Sequence, residues 1–208
     1  MKKVMTLAIL TLTLMTPTGL MAADGKALYH DKTCVNCHGE GGKSKSPQFP
    51  QLNGQNKEYL LAQFDSIING RRELGSAKIM GKHPVLQHFS KTEIEAITNY
   101  LSSLPRTVQE HNPDEKTVAL GKEVYEKIGC KQCHGMDGKG MPKDSADKYK
   151  AYPKLNGQHS TYVYNQLKNI LAGKRANDKA GIMKKQLSNA KLTDKDLKAL
   201  ALYLSQVE

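Results

Sequence analysis

At 208 residues, with 6% aromatic side chains and no Trp, the chain has room for two small domains and not for one large aromatic core. Lys and Arg number 31 against 20 Asp and Glu, a net charge of +11 that suits acidic proteins or anionic membrane surfaces as partners. No nucleic-acid-binding motif accompanies that charge, so nucleic acid is excluded, and domains this small need more than apolar side chains to fill their cores.

Residues 1–23 place two lysines before a run dominated by Leu, Ile, Met, Val and Thr, then end in Met21-Ala22-Ala23. That order predicts a secretory signal cleaved near residue 22 or 23 and a periplasmic mature protein. The alternative is a retained membrane anchor, but Thr16-Pro17-Thr18-Gly19 interrupts the run, which is short for a spanning helix. Charge is unevenly spread over the rest of the chain. Residues 24–104 carry 10 basic against 8 acidic side chains, whereas 117–208 carry 17 against 9. Such asymmetry favours oriented docking on an acidic protein, or peripheral association with an anionic membrane.

From residue 24 onward the sequence is written twice. GKALYHDKTCVNCHG at 25–39 matches GKEVYEKIGCKQCHG at 121–135 with an offset of 96. PQLNGQ at 50–55 then matches PKLNGQ at 153–158, and YLLAQFDSIINGRR at 59–72 matches YVYNQLKNILAGKR at 162–175, both at 103. The second copy therefore holds seven extra residues within 140–152. The repeat implies two domains of one fold, 24–104 and 118–208. PRTVQEHNPDEKT at 105–117, with two prolines and no apolar periodicity, joins them as a linker.

In chain order the first copy predicts helices over 24–32 and 57–69, the latter with Leu60, Leu61, Phe64, Ile67 and Ile68 on one stripe before Asn69-Gly70. A last helix opens at Ser90-Lys91-Thr92-Glu93, a capping-box pattern, and turns Ile94, Ile97 and Leu101 inward. The second copy repeats this over 118–128, then with Val163, Leu167, Ile170 and Leu171, then from Thr193-Asp194-Lys195-Asp196. No alternating run calls for a strand, so the fold class is all-α.

All four cysteines fall in the repeated segment, as Cys34, Cys37 and His38, and as Cys130, Cys133 and His134. Disulfides between cysteines three apart leave the following His unexplained in both copies. A zinc site has to join two pairs across 92 intervening residues. Covalent haem attachment uses every residue. Two sulfurs form thioethers with the haem vinyl groups and the adjacent His offers a ring nitrogen to iron. Two such motifs in an exported repeat favour two haem c groups, which also fill the cores.

Met80 and Met183 lie 46 and 53 residues after the first Cys of their copies, a difference equal to the insertion, and each lies 20 residues before Tyr100 or Tyr203. That register makes them candidates for the second axial ligand, thioether sulfur favouring ferrous iron. His83 and His88 are rivals at the first iron; Gln186 and Lys191 occupy those places in copy two. Met136 and Met141 have no counterparts and read as surface or gap-filling residues, and His30, His111 and His159, also unmatched, as solvent-facing.

On these residues, nearly the whole of 24–208 resembles a class I cytochrome c written twice, and most closely the diheme cytochrome c4 family. The resemblance implies two domains related by a pseudo-twofold axis with haem propionates near their interface. It implies close approach of the first and last helices at Gly25, Tyr29 and Tyr100, and at Gly121, Tyr125 and Tyr203. It implies that the Pro50 and Pro153 carbonyls accept from the proximal histidines. It also implies an electron carrier rather than an enzyme, docking donor and acceptor redox proteins such as an acidic site on a terminal oxidase or another respiratory complex. Two alternatives are the cytochrome subunit of a larger dehydrogenase, such as a flavocytochrome, and a diheme enzyme acting on peroxide or sulfur compounds. One departure is local: Gly81-Lys82-His83-Pro84 follows Met80 where family members commonly have a stretch rich in Met and Pro.

Overall fold

A computed structural model describes residues 23–108, 113–142, 144–175 and 179–208, and among them every regular element is helical. The expected signal, apart from Ala23, and His111 lie outside the described residues. The first half contains α1 (Gly25–Asp31), the one-turn α2 (Val35–His38), α3 (Lys57–Ile68), α4 (Ser76–Gly81) and α5 (Lys91–Ser103). The second contains α6 (Glu115–Lys127), α7 (Lys131–His134), α8 (Ser160–Leu171), α9 (Ala180–Asn189) and α10 (Asp194–Gln206). No described helix is long and apolar enough to cross a membrane.

The helix starts follow from their caps. Asp24 accepts from the backbone N–H groups of Lys26 and Ala27, and Ser90–Glu93 and Thr193–Asp196 both close reciprocal capping boxes. The Asp114 carboxylate accepts from Thr117 N, so α6 begins at Glu115 rather than at 118. α4 and α9 have no counterpart among the expected helices. α4 opens after Gly75 in a left-handed conformation (φ 57°), and its one buried side chain is Ala77, too little to make an apolar stripe.

Each half closes where its first and last helices cross. At that crossing a Cβ on Gly25 would sit 2.1 Å from Ala96 O, and one on Gly121 2.1 Å from Ala199 O, so glycine alone permits the approach. Tilted tyrosine pairs flank both seams, Tyr29 with Tyr100 at 5.9 Å and Tyr125 with Tyr203 at 5.8 Å between ring centroids. Ile97 and Leu101 seal the first core, and Leu197, Leu200 and Leu204 the second, each burial stabilising by roughly 1.5–3 kcal/mol.

The halves meet through a hydrogen-bond lattice that repeats about a pseudo-twofold axis. Gln55 accepts from Lys154 N (2.7 Å) and donates to Lys154 O (2.8 Å); its counterpart Gln158 accepts from Gln51 N (2.9 Å) and donates to Gln51 O (3.0 Å). The Gln51 side chain donates to Gly157 O (2.6 Å), and the Lys154 ammonium to Gly54 O (2.8 Å). Residues 105–108, expected as linker, are pinned into this lattice: Arg106 donates to Asn156 O (2.6 Å) and Asn53 O (3.1 Å), and Asn53 to Pro105 O (2.7 Å).

His159 is not solvent-facing. It sits at the N-terminus of α8, 5% exposed, with Nε2 3.0 Å from Ser44 O of the other half, because the domain interface covers it. Asn56, at the matching position of copy one, likewise reaches across to Tyr152 O (2.5 Å). His30 is half-buried beside Glu40 (3.2 Å), whereas Met136 is 64% exposed, as expected of a surface residue.

Candidate haem centres

A one-turn helix explains the spacing of each Cys-x-x-Cys-His segment. Positions three and four apart share a face, so α2 and α7 carry the second Cys and the His round to the side of the first. Gly39 (φ 71°) and Gly135 (φ 75°) then end each turn, and a Cβ there would strike Lys43 O at 2.4 Å or Gly140 O at 1.9 Å.

Both histidines are buried and their ring orientation is set. His38 Nδ1 lies 3.0 Å from Pro50 O and His134 Nδ1 2.9 Å from Pro153 O. A carbonyl only accepts, so Nδ1 carries the proton and Nε2 keeps its lone pair. Burial pushes both imidazoles below the ordinary histidine value, the proline carbonyls opposing that shift. Burial also drives the Cys34 thiol up to about 11 and Cys130 up to about 12. Reactive dithiol redox sites lower a thiol instead, so this environment speaks against the disulfide alternative.

One continuous cavity of about 640 Å³ runs between the halves. It brings together Cys34, His38 and Met80 from the first half with Cys130, Cys133, His134 and Met183 from the second. Cys37 is exposed and lines a separate cleft on the first half. Met80 is carried by α4 and Met183 by α9, both half-buried. The rivals at the first iron, His83 and His88, are exposed and do not line the cavity. In the second half Gln186, at the place of His83, donates to Ile128 O (2.7 Å) and fastens α9 to the end of α6.

The cavity floor is basic, and its arginines cross between the halves. Arg72 donates to Tyr162 OH (2.6 Å) and Gln166 Oε1 (3.1 Å); Arg175, its counterpart, donates to Tyr59 OH (3.0 Å) and Gln63 Oε1 (3.2 Å). Burial alone raises the Tyr59 phenol, and the Arg175 and Arg72 charges outweigh it and lower it. No Asp or Glu is among the described lining residues, while Arg72, Arg175, Lys154 and Lys179 are. Arg175 Nε is buried and has no hydrogen-bond partner among the described residues. An apolar slot lined by one buried and three half-buried cations, with one orphan donor and a histidine lone pair in each half, fits a flat macrocycle that brings its own carboxylates.

The sequence points to the cysteines, histidines, methionines and prolines by their doubled register. It does not single out Arg72, Arg175, Gln55 or Gln158, although their pairing at an offset of 103 is the signal that finds them.

Comparison with known proteins shows the family of the chain. The cytochrome c family model matches residues 22–105 and again 118–208. Cytochrome c4 of Azotobacter vinelandii is 32% identical over 98% of both chains, and that of Stutzerimonas stutzeri 33% identical over 98% of both. The crystal structure of reduced recombinant cytochrome c4 from Pseudomonas stutzeri superposes with a TM-score of 0.72 at 29% identity, covering 90% of this chain and all of that one. With two tandem helical domains, a doubled Cys-x-x-Cys-His segment and likeness along nearly its whole length, the chain belongs to the cytochrome c family, in its diheme cytochrome c4 branch, and is an electron-transfer protein carrying two covalently bound haem c groups.

Proposed function

We propose that Cys34 and Cys37 hold one haem and Cys130 and Cys133 the other by thioether bonds, with His38 and Met80, and His134 and Met183, as axial ligands. The observation that carries this is the twofold recurrence, in one cavity, of a histidine with Nε2 left available and a methionine carried by α4 or α9. His38 with Met80, and His134 with Met183, would hold each iron by a nitrogen and a thioether sulfur, a ligand set that would let the haem supply one-electron exchange without a change of ligand. The chain's own residues do the rest. Pro50 and Pro153 orient the imidazoles, the tyrosine seams keep the cores closed, and Arg72 and Arg175, which line the cavity, would offer positive charge to haem carboxylates.

The carrier works in the periplasm after removal of residues 1–23 and passes electrons between respiratory partners. Its more basic second domain docks on an acidic surface such as that of a terminal oxidase. The charge difference between 24–104 and 117–208 supports this orientation. Raising ionic strength is expected to slow association with such a partner, and a salt-independent rate refutes the docking.

The test of the ligand set is the weak red charge-transfer absorption of the oxidised holoprotein, which reports a Met–ferric bond, normalised to haem content. Intensity for two bonds per chain is expected. Intensity for one or none overturns ligation by Met80, Met183 or both.

A further inference from the structure

The peptide group joining Pro50 to Gln51 faces two ways. Its oxygen accepts from His38 Nδ1 (3.0 Å), and its N–H donates to Oε1 of Gln158 in the other half (2.9 Å). The peptide joining Pro153 to Lys154 is the mirror image, accepting from His134 Nδ1 (2.9 Å) and donating to Gln55 Oε1 (2.7 Å). Both glutamines are buried, and a second bond fixes which amide atom faces the peptide: Gln158 Nε2 donates to Gln51 O (3.0 Å), and Gln55 Nε2 to Lys154 O (2.8 Å).

Hydrogen bonds in series polarise one another, and more so in a low-dielectric interior. A peptide whose N–H is engaged carries more negative charge on its oxygen and so binds a donor on that oxygen more strongly. A stronger bond at Nδ1 makes the imidazole a better electron donor at Nε2, which favours the ferric state.

We propose that Gln158 and Gln55 are crossed positioning residues: each, through one peptide group, sets the hydrogen bond on the histidine of the opposite domain and thereby tunes the reduction potential of that domain's haem. This rests on His38 and His134 being axial ligands. The wiring makes each potential sensitive to domain contact, since parting the halves breaks both clamps together.

The test is made on the holoprotein with Gln158→Leu and Gln55→Leu, uncharged replacements that remove the acceptor. Potentials are followed for each haem by methyl resonances assigned to each domain. Gln158→Leu is expected to raise the potential of the first-domain haem, leave the second unchanged, and move the His38 Nδ1 proton of the reduced protein upfield. Gln55→Leu is expected to do the same to the second haem and His134. A shift confined to the variant's own domain, a fall such as water entry into a loosened interface produces, or no change in potential and resonance overturns the proposal. Gln158→Glu keeps the acceptor oxygen and strengthens it. It decides the matter if the Leu variant fails to mature, with a lowered first-domain potential and a downfield His38 proton expected, and a rise or no change refuting. Failure of the ligand assignment looks different: one histidine of the wild-type reduced protein then lacks the strong haem ring-current shift of its Cε1 and Cδ2 protons, although its Nδ1 proton stays on the proline carbonyl, and the clamp on that side falls with it.

Discussion

Replacing Gly121 by Ala places a methyl carbon 2.1 Å from Ala199 O and 2.6 Å from Tyr203 Cβ. Real Cβ contacts do not fall below 3.0 Å, so α6 and α10 must part by about 0.9 Å, and the obstacle is a backbone carbonyl that no rotamer change removes. In an open helix the same substitution stabilises by roughly 1 kcal/mol, because Ala is the better helix former. Here the separation also loosens the Tyr125–Tyr203 pair and the contacts of Val124, Leu200 and Leu204 along the seam. Overpacking of this kind costs about 1–3 kcal/mol, and with a rigid obstacle we expect the upper end, about 3 kcal/mol. For a domain of this size that lowers Tm by roughly 12–24 °C. Denaturant and thermal unfolding of the holoprotein, followed by far-ultraviolet circular dichroism and by haem absorption, measure it. Gly25→Ala is expected to do the same to the first domain, where the carbonyl is that of Ala96. Unchanged stability, or a gain near the helix-propensity value, refutes the close-approach explanation of both glycines.

Arg72→Gln removes the cross-domain bonds to Tyr162 and Gln166 and a buried cation from the haem cavity. Hydrogen bonds to charged groups are worth about 1.5–3 kcal/mol, so the domain interface is expected to weaken, and loss of positive charge should lower the haem potentials; spectroelectrochemistry showing no fall contradicts this. Glu93 donates nothing and accepts much: Lys32 first, then the Ser90 backbone and hydroxyl, pull its carboxyl down to about 2. Because the folded value is depressed, its contribution is present above the usual carboxylate range and is lost as pH falls through about 2. The stability gap between wild type and Glu93→Gln, measured by urea unfolding, is expected to close between pH 5 and pH 2, and a gap constant with pH counts against the Lys32 pairing.

The doubled motifs are legible because each depends on near neighbours in sequence. Three-residue spacing suffices to place Cys34 and Cys37 on one turn, Ser90 and Glu93 are a local pair, and the apolar stripe of α3 is a periodicity. The interface is not legible, since its bonds join residues about a hundred positions apart. Gln55 and Gln158 look like polar surface until a second copy of the fold is laid against the first, and His159 looks solvent-facing for the same reason. α4 is hidden because its sequence has no apolar stripe to find: Ile79 is 62% exposed and Ala77 alone is buried.

Set side by side, the two copies differ in an ordered way. Across the interface, substitutions keep the job: Asn56 and His159 occupy matching positions and each bonds a carbonyl of the other half, while Gln51 and Lys154 each send a side chain to the opposing glycine carbonyl. Beside the two buried histidines and on the surface, substitutions change the environment. Phe49 stands edge-on to His38 where Tyr152 stands edge-on to His134, with Lys179 4.3 Å above the Tyr152 ring, and the charge balance moves from 10 against 8 to 17 against 9. A symmetric interior holds the two ends of the shared cavity, with His38 at one and His134 at the other, in one fixed relation. An asymmetric exterior is what the proposed docking of a charged partner on one domain rests on. Equalising the surface charge of the two domains while leaving the glutamine clamps intact is therefore expected to abolish the preference for one docking face without altering either haem potential through the interface, separating the two properties that the duplication combines.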